Sequence, residues 1–591
     1  MTNAIEKAKK FLNEERAFRL GELLTESSHP KTQALSETSK ANLSTGIRLL
    51  QSVDEEIPPA VEKIFHQKTF QELVEAFVNA LNAGRRIFFT GCGATGRLSI
   101  LLEAAWRRFW RKLKQKHPDI FITMPKMEDL TISVMAGGDY ALIKSVEGFE
   151  DFPDFGRYQL KQAGVSSGDV VVAITEGGET PFVIGTAWQG LDEDAKVFFV
   201  YNNPTSILRR YVQRSRQVIG EPRIQKLDLT TGPMAITGST RMQAVTTELL
   251  VVGTALDIAL LEFLKNSLPI SQWAKLNLRP RPAQDYHRIF VDLLKQLSHT
   301  TSVDTIARAT KFEEDIYRRH GLITYMADSG LLDALTDNTE RSPTFMVPPF
   351  RKYGDDCSPQ SWAFVKNPFR STQDAWRDML QREPRGLQWS TKVYEQLNAP
   401  PTLQATPPLL GNDEIYKFRI GNEPDPSRTD APDSALVVIA VEDEGNYLIR
   451  AALDGFGSQY EKTAAIIIGP SAATSSTNEL FQFKWDLPVS PLQLWHHLAV
   501  KLILNTLSTA TMVRMGRVIG NAMVWLSPSN KKLIDRGSRL ISQQTGCSYE
   551  EACIALHQTM QEVESRSQQA EEVPSPVALA IEQIRSKGNR A

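Results

Sequence analysis

Cysteine is scarce in this chain: four residues in 591, Cys92, Cys357, Cys547 and Cys553, spaced too irregularly for a disulfide framework. A reduced, cytoplasmic compartment is the expectation. Metal-ligand spacing is lacking as well. Neither these cysteines nor the nine histidines form an HExxH or a paired CxxC, so no metal and no cofactor is expected. Charge of one sign is not in excess: 67 Lys and Arg against 69 Asp and Glu leave a net charge of -2. No global field therefore favours nucleic acid or an anionic membrane. Met1 to Arg19 is charged throughout and lacks the apolar centre of a signal peptide. The most apolar stretch, around Leu249-Leu250-Val251-Val252, is interrupted by Asp257 and Glu262, which reads as a core helix and not a membrane span. What is present is ordinary for a soluble globular protein, 41% hydrophobic and 23% charged, and the length suggests about three or four domains.

The first 77 residues read as a polar, helical segment broken at Pro30, Pro58 and Pro59. Short apolar runs then alternate with helical patterns. Arg86–Thr90, Leu130–Met135, Val170–Thr175, Val197–Tyr201 and Lys226–Leu229 read as buried strands, with helices at Phe182–Gln189 and Arg241–Leu264. Such alternation predicts a parallel sheet wrapped by helices, with ligands at the carboxyl ends of the strands. A second series follows: strands at Leu322–Met326, Trp362–Val365, Leu436–Val441, Ala464–Ile468 and Phe481–Trp485, then a helix from Leu494 through Val518. The order of elements repeats, so the fold class is α/β with two tandem three-layer domains, expected over 78–268 and 285–525. A Pro-rich stretch at about 395–432 reads as an inserted surface loop. Residues 526–591 read as a C-terminal helical domain with a capping box at Ser548-Tyr549-Glu550-Glu551, turning polar beyond Gln568.

The chemistry concentrates in Gly91-Cys92-Gly93-Ala94-Thr95-Gly96-Arg97, between the first strand and its helix. Glycines there let bare N–H groups approach an anion at a helix N-terminus. Read as G-x-G-x-x-G the loop suggests a dinucleotide; with the Thr95 hydroxyl and Arg97 it suggests a sugar phosphate; a bare strand-to-helix turn is the structural alternative. As a P-loop it fails, because Arg97 and Leu98 stand where Lys and Ser/Thr are needed. A second hydroxyl cluster, Thr237-Gly238-Ser239-Thr240-Arg241-Met242, opens the longest helix after the fifth strand. Alone it reads as a helix cap. Two such clusters at one end of one sheet favour a sugar phosphate, which hydroxyls and N–H groups bind without a metal.

These segments, together with Met135-Ala136-Gly137-Gly138-Asp139 and Glu147-Gly148-Phe149-Glu150-Asp151, resemble the sugar isomerase (SIS) domain pattern. Within it they are similar to the branch shared by N-acetylmuramic acid 6-phosphate etherase and glucokinase regulatory protein. Leu24-Thr25-Glu26 through Pro30, Lys501 through Thr509 and Thr545 through Ala552 extend the resemblance over nearly the whole chain outside the Pro-rich stretch. Two units in one chain resemble the regulator; the etherase pairs two single-unit chains. The resemblance implies a phosphosugar site built from Gly93, Ala94, Thr95, Gly96, Thr175, Ser239, Thr240 and Lys501. It also implies two glutamates. The first unit has Ala105 where the etherase pattern has one of them, and Glu103 lies on a different helical face. The second unit's Asp337-Asn338-Thr339-Glu340-Arg341-Ser342-Pro343-Thr344-Phe345 supplies it at Glu340, and the other matches Glu150. The second unit's own loop carries Asp328 where a hydroxyl belongs, with Glu442-Asp443-Glu444 after its third strand, so one site per chain is expected.

Two functions follow from the resemblance. One is a sugar-phosphate-responsive regulator that binds a hexose or amino-sugar 6-phosphate, or a fructose phosphate, with a sugar kinase as candidate partner. The other is a carbon–oxygen lyase of the etherase type, eliminating D-lactate with Glu150 and Glu340 as acid and base.

Overall fold

The computed structural model describes residues 2–146, 148–470, 477–566 and 574–588; Glu147 of the motif above and most of the polar stretch beyond Gln568 lie outside these. Five N-terminal helices, from Thr2–Glu14 to Lys68–Asn82, precede the first strand. Pro58 and Pro59 sit in the first turn of the helix Ile57–Phe65, where a missing N–H leaves no intrahelical bond unmade.

The first α/β unit runs β1 (Ile87–Gly91), α1 (Ala94–Lys116), β2 (Thr131–Met135), α2 (Pro153–Gln162), β3 (Val170–Thr175), α3 (Pro181–Asp192), β4 (Lys196–Tyr201), β5 (Ile224–Asp228) and α4 (Gln243–Ser267). The second runs β6 (Ile323–Met326), α5 (Leu331–Phe345), β7 (Ala363–Lys366), β8 (Ala435–Val441), β9 (Lys462–Ile468), β10 (Glu479–Phe483) and α6 (Leu494–Arg514). Helices α7 (Lys531–Thr545), α8 (Tyr549–Arg566) and α9 (Pro576–Gly588) close the chain.

Both sheets are parallel and five-stranded, and their orders match: β2-β1-β3-β4-β5 in one, β7-β6-β8-β9-β10 in the other. Each follows the flavodoxin-like order 2-1-3-4-5, so the duplication expected from the element order is present in the topology. The central strands are apolar on both faces because helices cover both; Ile87, Phe88 and Phe89 of β1 are wholly buried. Helix α4 is long and apolar enough to cross a membrane, but 94% of its most apolar window is packed inside the protein.

The Pro-rich stretch corrects the expectation of a surface loop. Between β7 and β8 the chain forms short helices at Thr372–Leu380, Thr391–Gln396, Pro401–Ala405, Asn412–Ile415 and Pro426–Thr429. Tyr394, Ile415, Phe418 and Ile420 are buried, because aromatic and aliphatic side chains between the prolines pack back on both units.

The units meet along α4, α5 and α6. Arg241, just before α4, donates to Asp337 of α5 at 3.2 Å and to Ser508 and Thr509 of α6 at 3.0 and 2.9 Å. Lys501 of α6 donates back to the Arg241 carbonyl at 2.7 Å. Buried charge of this kind is tolerated only where each group finds partners, and here each does.

Candidate functional site

The β1–α1 turn is dictated by backbone proximity. A side chain at Gly91 would run into the Thr95 carbonyl, and Gly93 sits at φ +56. Thr95 is the staple of this turn: its hydroxyl donates to the Cys92 carbonyl at 2.9 Å and accepts from the Cys92 N–H at 3.0 Å. The first intrahelical bond comes from the Arg97 N–H to the Gly93 carbonyl, so the N–H groups of Ala94, Thr95 and Gly96 have no acceptor within α1. Gly96 packs against the Met135 side chain of β2, which would have to shift to admit a Cβ.

This turn opens on a cavity of about 1110 Å³ between the two units. Gly93, Ala94, Glu150, Ser239, Thr240 and Glu340 line it, as do Arg97, Glu176, Thr180, Arg241, Lys532 and Arg536. Thr95, Gly96, Thr175 and Lys501 lie behind its wall. Thr175 shares a hydroxyl–hydroxyl bond of 3.0 Å with Thr180, and Lys501 braces the turn before α4 through the Arg241 carbonyl and Asn505.

Three features suit an anion. Ser239 is buried, and its hydroxyl has no hydrogen-bond partner among the described residues. Arg97 is buried too, and among the described residues its guanidinium donates only to neutral groups: the Leu142 carbonyl at 3.0 Å, the Ala141 carbonyl and the Thr339 hydroxyl at 3.1 Å. The α1 N-terminus supplies the third.

Carboxyls surround this anion pole. Burial raises Glu340 above the ordinary carboxylate range, although Arg97, Arg241 and Lys501 oppose it. Burial also pushes Glu176 up to about 7, with Glu150 and Glu340 adding repulsion and Lys532 offsetting it. Asp151 rises to about 7 for the same reason, burial first and Glu150 next. Glu248 on α4 is wholly buried, with both oxygens unpartnered among the described residues, and burial lifts it well above its ordinary value. The Lys532 ammonium of α7 lies 3.0 Å from Glu179 and 3.7 Å from Glu150. Burial pushes Lys501 down to about 8 against the pull of Glu340. Cys92 lines the cavity as a neutral thiol, held up by burial and by Glu150 and Glu176.

Glu103 of α1 faces away from the cavity. It accepts from the Ser133 N–H and hydroxyl and pairs with Arg107, Arg382 and Arg385, which hold it well below the usual carboxylate range despite burial. In the second unit the loop after β6 is answered internally: the Ser329 N–H donates to Glu444 at 3.2 Å and Asp328 accepts from Asn367 at 2.8 Å. Lys532 and Arg536 had no signal in the sequence, since only the fold brings the C-terminal helix to this wall.

The model of the glucokinase regulatory protein N-terminal SIS domain matches residues 69–189. The N-acetylmuramic acid 6-phosphate etherase of Prochlorococcus marinus (strain MIT 9303) is 35% identical over 226 residues, 38% of this chain and 62% of that protein. The etherase of Pectobacterium atrosepticum is 30% identical over 233 residues, 39% of this chain and 67% of that protein. The chain belongs to the N-acetylmuramic acid 6-phosphate etherase family of SIS proteins. This SIS chain spans 62 to 67% of the length of these two relatives. The solved tagatose-6-phosphate ketose/aldose isomerase of Escherichia coli superposes on 82% of it and 96% of its own chain, with a TM-score of 0.42 and 10% identity.

Proposed function

We propose that this protein binds a sugar phosphate in the cavity between its units and acts as a ligand-responsive regulator. The observation that carries the reading is the convergence of free α1 N–H groups, the unpartnered Ser239 hydroxyl and the Arg97 guanidinium on one cavity. Phosphate is the anion such a set accommodates without a metal. The family match favours a phosphosugar over a dinucleotide. Loop and hydroxyl cluster belong to the first unit and Glu340 to the second, so a bound sugar touches both. A ligand shifts an arrangement only by its different affinity for two states, and a bridging ligand has that lever. A sugar kinase is the partner class we would test first, by pulldown with and without ligand.

The test of binding is thermal shift with a panel of hexose and amino-sugar 6-phosphates and fructose phosphates. Stabilisation by one of them at millimolar concentration is expected; no shift across the panel sinks the reading.

A second reading, lyase activity, is favoured by Glu150 and Glu340 lining the same cavity. Glu150, partly open to it, would remove the proton beside the open-chain aldehyde. Glu340, raised by burial, would donate to the departing lactate oxygen, and water would then add to the resulting double bond. Incubation with N-acetylmuramic acid 6-phosphate decides between them. Lactate release that disappears in Glu150→Gln and Glu340→Gln supports the lyase, and no release from the wild type leaves the regulator.

A further inference from the structure

The segment that carries Glu150 is held by the second unit. Residues between β7 and β8 are first anchored in that unit: Arg428 donates to the Ile323 carbonyl at 2.6 Å, and Lys366 donates to the carbonyls of Arg419 and Glu423 at 3.1 and 2.9 Å. From there the chain crosses to the first unit. The Asp139 N–H donates to the Arg385 carbonyl at 3.1 Å, and the Arg385 N–H donates back to the Asp139 carboxylate at 2.6 Å. Trp389 then stacks on Phe149, with ring centroids 5.4 Å apart and planes at 26°. Its indole N–H donates to Gln162 at the end of α2 at 2.7 Å. Tyr394 meets Phe149 and Phe155 edge-on, and Leu403 abuts Gly148, which sits at φ +80. Phe149 is the chain neighbour of Glu150. On the other side, the Glu150 carbonyl accepts from the Phe182 N–H of α3 at 3.1 Å.

We propose that this strap sets the position of Glu150, with Trp389 as a positioning residue that does not touch the ligand. A loop of 148–151 has no hydrogen-bonded ladder of its own, so the packing of Phe149 decides where the next carboxylate points. Because the strap is rooted in the second unit, a relative shift of the units moves Trp389 and with it Glu150. This is a mechanical route from the cavity's far wall to its glutamate, and it rests on the proposed role of the cavity only in its ligand arm.

The test is hydrogen exchange by mass spectrometry on the full chain as wild type, Trp389→Ala and Trp389→Phe. Exchange over 148–155 is expected to rise about tenfold in Trp389→Ala, stay near wild type in Trp389→Phe, which keeps a stacking ring, and leave 91–101 unchanged in both. No change over 148–155 in Trp389→Ala overturns the strap, as does equal acceleration of both segments, which would mark general destabilisation. The ligand arm is separate: hexose 6-phosphate affinity should fall in Trp389→Ala and recover in Trp389→Phe. If the wild type binds no sugar phosphate, the proposed function falls while the exchange result still decides the strap. If it binds and Trp389→Ala binds equally, the link to the site falls.

Discussion

Glu176 illustrates how far a single residue here departs from its behaviour in water. It opens the turn after β3, is 9% exposed, and accepts from the Thr240 hydroxyl at 3.4 Å. Its carboxyl sits at about 7 against an ordinary value near 4.5, so the folded protein holds a proton that the unfolded chain releases. The resulting stability is fully present below pH ~4.5 and is lost as pH rises through about 7. Urea unfolding of the wild type should therefore weaken between pH ~5 and ~7.5, by on the order of 2 kcal/mol from this group. Glu176→Gln should flatten that part of the profile relative to wild type without abolishing it, since Asp151, Asp54 and Asp257 are also raised by burial into this range. A variant whose profile overlays the wild type would show that Glu176 titrates normally.

At the scale of elements, the β1–α1 turn depends on the absence of two side chains. A Cβ at Gly91 meets the Thr95 backbone, which no rotamer change relieves, and one at Gly96 meets the Met135 side chain, which has freedom to move. Gly91→Ala should thus cost about 1–3 kcal/mol in urea unfolding and weaken anion binding, while Gly96→Ala should cost less. The reverse ranking would mean that the helix, not the turn, takes up the strain. The same element was legible in the sequence because buried parallel strands are continuous apolar runs, and glycines punctuate their ends. The ten strands among the described residues are readable, although β5, Ile224–Asp228, is read two residues late because Gln225 and Lys226 break its apolar run. The β10 edge was read two residues late, at Phe481–Trp485 against Glu479–Phe483, because Glu479 and Gln482 dilute the apolar signal. The strap was not legible: its prolines signal loop, while its burial comes from Trp389 and Tyr394 meeting Phe149 and Phe155 far along the chain. The same limit applies to the site. Loop and hydroxyl cluster have local motifs, and Glu150 and Glu340 came from family pattern. Glu176 follows Thr175 at the carboxyl end of a readable strand, whereas Lys532 and Arg536 reach the cavity only through tertiary packing.

The whole molecule is closed by a latch between its two ends. Glu26, in the N-terminal segment, is 2% exposed, and Arg536 and Arg539 of α7 donate to it, with 2.8 Å from Arg536 Nε and 2.8 Å from Arg539 Nη2. Arg536 in turn lines the cavity and presses on Gly238, whose φ of +76 and missing side chain make room for the guanidinium. Burial alone would raise Glu26, but the two arginines outweigh it and hold the carboxyl at about 2. The sign is opposite to that of Glu176: stability from this group is present above pH ~4.5 and is lost as pH falls through about 2. Near pH 7, Glu26→Gln should cost about 3 kcal/mol, because it leaves the buried Arg536 guanidinium without its paired carboxylate, while Arg539 keeps Asp535. The difference should shrink as pH falls from ~4.5 towards ~2, so the loss at pH 3 should be clearly smaller than at pH 7, since protonation makes the two side chains nearly equivalent. Sugar-phosphate affinity should change along with it, because an unlatched Arg536 is free to leave the hydroxyl turn at Gly238. Unfolding curves at pH 7 and pH 3, with a ligand thermal shift at pH 7, measure all three effects. Equal loss at both pH values would mean that the carboxylate's charge is not what holds the ends of this chain together.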